Sequence, residues 1–202
     1  MNTEYEYKFY YWGPLLFNSK LKDDDLEKVK NICNKDPKKS CVDILAGDIK
    51  HEYNIDKDIL NKIFQPYMSG FKDAYAKWYD ESINYIYVNK CWVNYMQPGD
   101  YNPIHIHTNC DFSSVLYIDI PKELQKEMIE YKGKSAGPGA INFLYGEINN
   151  YFISTINKKP VTGEFFIFPS GLRHTVNPHK SKCERISVGI NFAIQREKNE
   201  SS

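Results

Sequence analysis

Pro98-Gly99-Asp100-Tyr101-Asn102-Pro103-Ile104-His105-Ile106-His107-Thr108-Asn109-Cys110-Asp111 is the stretch on which the fold turns. Successive side chains of a strand point to opposite faces, so His105 and His107 share one face and Ile104 and Ile106 the other. Asp111 stands at the start of the next apolar run, Phe112 onward. Two imidazoles and a carboxylate placed this way can converge on one metal ion; neutral imidazole suits first-row metals and carboxylate is a harder, charged ligand. A second half-site lies further on, in Gly163-Glu164-Phe165-Phe166-Ile167-Phe168-Pro169-Ser170-Gly171-Leu172-Arg173-His174. Here an apolar strand ends in a Pro/Gly turn that re-aims the chain, and His174 is carried towards the first half. His51 and His179 have no such company in the sequence and read as surface residues.

From Asn84 onward the chain reads as short β segments broken by Gly and Pro: 84–97, 103–107, 113–120, 139–145, 163–168 and 184–194. Short strands at this spacing suggest a sandwich or barrel. The half before them differs. Tyr5 to Trp12 reads as an aromatic strand, and Asp23-Asp24-Asp25 opens a short helix to about Asn34, its acidic start complementing the helix dipole. After an irregular stretch comes a long helix over about 57–79. Its Ile59, Leu60, Ile63, Phe64, Tyr67, Met68, Phe71, Ala74, Tyr75 and Trp78 recur at helical spacing as a core-facing stripe. Pro66 and Gly70 are places where it could kink. The chain therefore divides into residues 1–83, a strand and helices packing on the core; 84–194, the β core; and 195–202, a polar tail, the whole forming one structural unit. The fold class is mainly β with a helical N-terminal layer (α+β).

The 202 residues, 42% hydrophobic and 26% charged, suit one ordinary globular unit. Formal net charge is zero, so no long-range basic field for nucleic acid or anionic membrane is expected. No run of about 18 apolar residues suggests a membrane span, and no basic stretch followed by an apolar one suggests a secretory signal. The five cysteines are odd in number with no CxxC pair, which argues against a disulfide framework and for a reducing cytoplasm.

Arg185-Ile186-Ser187-Val188-Gly189-Ile190-Asn191-Phe192 alternates cleanly. Arg185, Ser187, Gly189 and Asn191 share one face; the apolar residues share the other. An arginine on the inner face of a barrel strand is costly unless it meets an anion, and a guanidinium fork beside a hydroxyl matches a carboxylate.

At this point a family emerges. HxH with a nearby Asp, a distant His, then RxS resembles the Fe(II)/2-oxoglutarate-dependent oxygenase superfamily. WVNYMQPGDYNPIHIHTNCDFSSVLYIDIP, GPGAINFLYGE, GEFFIFPSGLRHTVNP and ERISVGINF resemble phage-encoded 2-oxoglutarate oxygenases over about residues 90–193. The resemblance implies a double-stranded β-helix (a jelly-roll, cupin-like core), Fe(II), 2-oxoglutarate and O2, and oxidation of a substrate with succinate as co-product. It places the metal on His105 and His174 and the 2-oxoglutarate carboxylate on Arg185 and Ser187. Tyr95, Tyr117 and Asn191 become candidates for supporting hydrogen bonds to 2-oxoglutarate or a metal-bound water.

The chain departs from the superfamily's HxD/E pattern, because His107 stands where the acid is usual. Either His107 takes that place, or Asp111 does; the carboxylate, which neutralises the ion, makes Asp111 the preferred third ligand. The expected function is hydroxylation of a C–H bond, with a protein or peptide side chain as the first substrate to test and nucleic acid a weaker choice. The rival is a cupin-type metalloprotein that does not use 2-oxoglutarate; RxS after the distal histidine speaks against it.

Overall fold

A computed structural model describes residues 13–147 and 154–196. The expected strand at Tyr5–Trp12, the loop at Asn149-Asn150-Tyr151 and most of the polar tail lie outside the described residues. The elements run β1 (Phe17–Lys20), α1 (Asp23–Ile32), β2 (Glu52–Asn54), α2 (Lys57–Tyr79), β3 (Ile83–Met96), β4 (Asn102–His105), β5 (Phe112–Asp119), α3 (Lys122–Glu130), β6 (Ile141–Leu144), β7 (Thr155–Lys158), β8 (Glu164–Pro169), β9 (Arg173–Val176) and β10 (Arg185–Arg196). A six-stranded sheet has the order β1-β8-β5-β10-β3-β2, and a four-stranded sheet the order β4-β9-β6-β7. All pairings are antiparallel. This is the double-stranded β-helix, two sheets closing on one another.

Period-two alternation gives the large sheet two different faces. Val188, Ile190 and Phe192 of β10 and Val93 of β3 turn outward and are buried under Leu60, Phe64 and Phe71 of α2. Phe64 meets Phe165 edge-on at 5.2 Å, and Phe71 meets Phe112 at 5.0 Å. Each such buried aromatic contributes roughly 1.5–3 kcal/mol. The opposite face packs on the small sheet: Met96, Tyr117, Phe166 and Phe168 meet Phe143, Leu172 and Val176.

Helix α2 starts where Asp56 accepts hydrogen bonds from the Asp58 and Ile59 N–H groups, and ends at Asp80 in the left-handed region (φ 55°). It continues through Pro66 and Gly70. Two members of the expected core stripe are exposed, Ile59 at 42% and Trp78 at 38%, because both sit at helix ends, where the stripe drifts off the sheet. The segment before β3 is more than a layer of helices, since β1 and β2 supply both edges of the large sheet. Helix α3, absent from the sequence reading, fixes itself by burying only Leu124 and Met128 at i, i+4 spacing.

Candidate active site

The register of the large sheet sets out its inner face in rows. Met96 lies opposite Arg185, Asn94 opposite Ser187, and Trp92 opposite Gly189. Glu52 of β2 extends the Asn94 row at one side, and Tyr117 of β5 extends it at the other. Gly189 is required by close approach: a Cβ there would stand 2.4 Å from Cζ2 of the Trp92 indole. These rows floor a cavity of about 580 Å³ between the sheets, lined also by the three histidines below.

On the small sheet His105 of β4 pairs directly with His174 of β9, and their ring centroids are 4.2 Å apart. His107 stands just beyond the end of β4. Its N–H donates to the Ser170 carbonyl at 2.9 Å, tying this loop to the turn between β8 and β9. The ligating atoms of His105, His107 and His174 all lie within 4.8 Å of one another. Nδ1 of His105 faces the Pro103 carbonyl and Nδ1 of His174 the Leu172 carbonyl, each at 2.8 Å. Such bonds place the proton on Nδ1 and leave the Nε2 lone pair for a metal. Nε2 of His107 is 3.3 Å from Nε2 of His174. Two nitrogens about 2.1 Å from one ion, at angles between square and tetrahedral, stand about 3.0–3.4 Å apart, so the spacing fits a shared ion. Burial, reinforced by the neighbouring imidazoles, holds His107 at about 3 and His174 at about 4; burial lowers His105 too. Burial thus favours the neutral imidazole at each, the form a metal ligand needs.

Asp111 is elsewhere. It is exposed, and its Oδ2 accepts the Ile194 N–H at 2.9 Å. Among the described residues it is His107, not the preferred Asp111, that lies beside His105 and His174; Asp111 sits at the mouth of the β5–β10 ladder and caps it. Tyr95 also leaves the site. It lies opposite Ile186, faces the helical layer and meets Tyr53 edge-on at 6.1 Å. His179 is not a surface residue: it is 1% exposed, with its ring nitrogens against the Ser181 and Met96 carbonyls. His51 is half-buried, with Nδ1 3.3 Å from the Tyr53 hydroxyl.

Arg185 is 2% exposed. Its Nη1 points at the Met96 sulfur (3.1 Å) and its guanidinium lies 5.0 Å from the Tyr117 ring centroid. Nε and Nη2 are buried with no partner among the described residues, as is the Tyr117 hydroxyl. A buried cation with two free donors, beside the buried Ser187, has the chemistry of a carboxylate receptor. Burial pushes the Tyr117 phenol up, so it stays neutral and able to donate. Asn191 lines the cavity and accepts from the Ser113 hydroxyl at 3.0 Å. The sequence reading missed Glu52 and Asn94. Both are buried in the cavity wall, and Glu52 Oε2 and Asn94 Oδ1 lack partners. A three-residue strand such as β2 is too short for alternation to show which residue turns inward.

A double-stranded β-helix that brings three imidazoles and a buried arginine to one cavity has the residues to hold a metal ion and a carboxylate. The family described as "Putative 2OG-Fe(II) oxygenase" matches residues 90–191, and the chain belongs to it. It is thus an oxidoreductase using Fe(II), 2-oxoglutarate and O2, and the cupin-type alternative without 2-oxoglutarate gives way. The fold is similar to that of a Pseudomonas putida prolyl-4-hydroxylase (TM-score 0.54, 15% identity, covering 91% of this chain and 93% of that one). It is similar also to a viral collagen prolyl hydroxylase of Paramecium bursaria Chlorella virus-1 in a 2OG complex (0.54, 14%, 88% and 94%). A third is a Trichoplax adhaerens prolyl hydroxylase in complex with a hypoxia inducible factor oxygen degradation domain peptide fragment (0.55, 14%, 90% and 83%). No curated protein sequence matches the chain.

Proposed function

We propose that this oxygenase hydroxylates a C–H bond of a protein or peptide side chain, with His105, His107 and His174 holding Fe(II) and Arg185 and Ser187 holding 2-oxoglutarate. The observation that carries the reading is Arg185, a buried guanidinium with two unpartnered nitrogens in the cavity that the histidines line. When bound, iron and 2-oxoglutarate supply the oxygen-activating chemistry, with succinate and carbon dioxide as co-products. The chain's own residues bind and orient. Arg185 offers its fork to the far carboxylate, Ser187 adds a hydroxyl, and the Tyr117 phenol is a third donor in the same row. Phe168 packs edge-on to His174 at 4.8 Å and shields that side from water.

The peptide-bound neighbour supports a peptide substrate, as does the exposed apolar Ile106 (48%) in the cavity lining. Zero net charge disfavours nucleic acid. The five cysteines are free, which favours the cytoplasm. No helix among the described residues is long and apolar enough to cross a membrane. The test is succinate release from 2-oxoglutarate with and without a proteome-derived peptide pool, followed by mass spectrometry. Stimulation coupled to gain of one oxygen atom on a peptide is expected. Stimulation by nucleotides or free metabolites, with none by peptides, would overturn the substrate assignment.

A further inference from the structure

The row that carries Ser187 continues across the large sheet through Asn94 to Glu52, and the roles proposed above use neither of these two residues. Glu52 is 1% exposed and its side chain makes no hydrogen bond or ion pair among the described residues; Oε2 is buried and unpartnered. Asn94, directly opposite it across β2 and β3, is 8% exposed with its Oδ1 likewise unpartnered. Both residues line the cavity. The Asp100 carboxylate, itself 8% exposed, adds negative potential at Glu52, and Lys90 offsets only part of it. The Lys90 ammonium is over the Trp92 ring, 5.6 Å from its centroid, and forms no ion pair with Glu52. Two buried polar groups without partners in a negative field destabilise the free protein, because a buried polar group without a partner costs free energy. Protonation of Glu52 meets part of that cost, and a donor-rich cation arriving from outside would meet the rest.

We propose that Glu52 and Asn94 form the substrate-selecting end of the cavity and take a cationic, donor-rich group, an ammonium or guanidinium, carried by the substrate. This rests on the oxygenase reading of the same cavity. It names the substrate class as one bearing a basic group near the oxidised carbon. An anionic or purely apolar side chain would leave the acceptors unpaired, so the same geometry selects against both. Burial, with Asp100 adding to it, holds the Glu52 carboxyl at about 8, so a bound cation would also draw off its proton.

The experiment is calorimetric titration of the protein with N-acetyl-lysine amide, N-acetyl-arginine amide and the apolar isostere N-acetyl-norleucine amide, each at millimolar concentration. Wild type should bind a basic probe roughly ten- to hundredfold more tightly than norleucine, and Glu52→Gln should lose that preference. Thermal unfolding of the ligand-free proteins adds a readout independent of the probe. Glu52→Gln should melt at or above the wild-type temperature, since it removes a buried unpaired acid; a structural role would make it melt lower. Equal or absent binding of all three probes by wild type, an unchanged preference in Glu52→Gln, or a lowered melting temperature overturns the proposal. 2-Oxoglutarate affinity, measured in the same samples, should be the same in both proteins. If neither binds 2-oxoglutarate, the oxygenase reading fails separately.

Discussion

Replacing Arg185 by Met should make the protein more stable and unable to hold 2-oxoglutarate. In the free protein the guanidinium is 2% exposed, and Nε and Nη2 have no partner among the described residues. Each unmet donor costs about 1–3 kcal/mol. Met keeps most of the stem's packing and removes both, while the Met96 sulfur loses only a donor to a weak acceptor. The net gain is on the order of 2 kcal/mol, which for a chain of this length raises Tm by about 4–8 °C. Binding moves the opposite way. Losing a buried charge-assisted pair costs about 2–5 kcal/mol, or roughly thirty- to several-thousandfold in affinity. Arg185→Lys keeps the charge without the fork and should fall between. The assays are thermal unfolding without ligand and 2-oxoglutarate titration of the Fe(II)-loaded protein under argon. A variant that melts several degrees lower yet binds 2-oxoglutarate as well as wild type would show that Arg185 is structural.

Two further outcomes are expected. Gly189→Ala should cost about 1–3 kcal/mol in urea unfolding and shift tryptophan fluorescence, because its Cβ would lie 2.4 Å from Trp92 Cζ2 and the indole must move; unchanged fluorescence and stability would contradict the packing of that row. Between about 6.5 and 8, above the range in which the three histidines titrate, stability should fall as pH rises, because burial and Asp100 hold Glu52 at about 8 against an ordinary 4.5, so the folded state binds the proton more tightly than the unfolded one. That slope, worth up to a few kcal/mol, should flatten in Glu52→Gln; an identical slope in the variant would refute it.

Some of this was readable from the residues. Helix α2 announced itself because its apolar residues repeat at 3.6 spacing between Asp56 and Asp80, and β10 because its alternation is unbroken from Arg185 to Phe192. The same alternation put Arg185, Ser187 and Asn191 inward. Extending it through the β3–β10 register would have put Tyr95 outward, but register is a tertiary fact that a single strand does not carry. Proximity of Asp111 to His107 in sequence says nothing about which way a carboxylate at a strand start turns. It turns to the Ile194 N–H. His179 looked isolated because its partners, the Ser181 and Met96 carbonyls, are backbone groups and leave no trace in composition.

The central claim is that one Fe(II), held by three histidines, is chelated by 2-oxoglutarate. Its most direct measurement is the visible charge-transfer band on anaerobic addition of Fe(II) and 2-oxoglutarate to wild type, His107→Ala and Asp111→Ala. The band should appear in wild type at one equivalent of iron, persist in Asp111→Ala, which loses only its cap on β10, and vanish in His107→Ala. A band that survives in His107→Ala and is lost in Asp111→Ala would return the third ligand to the carboxylate and contradict the three-histidine centre.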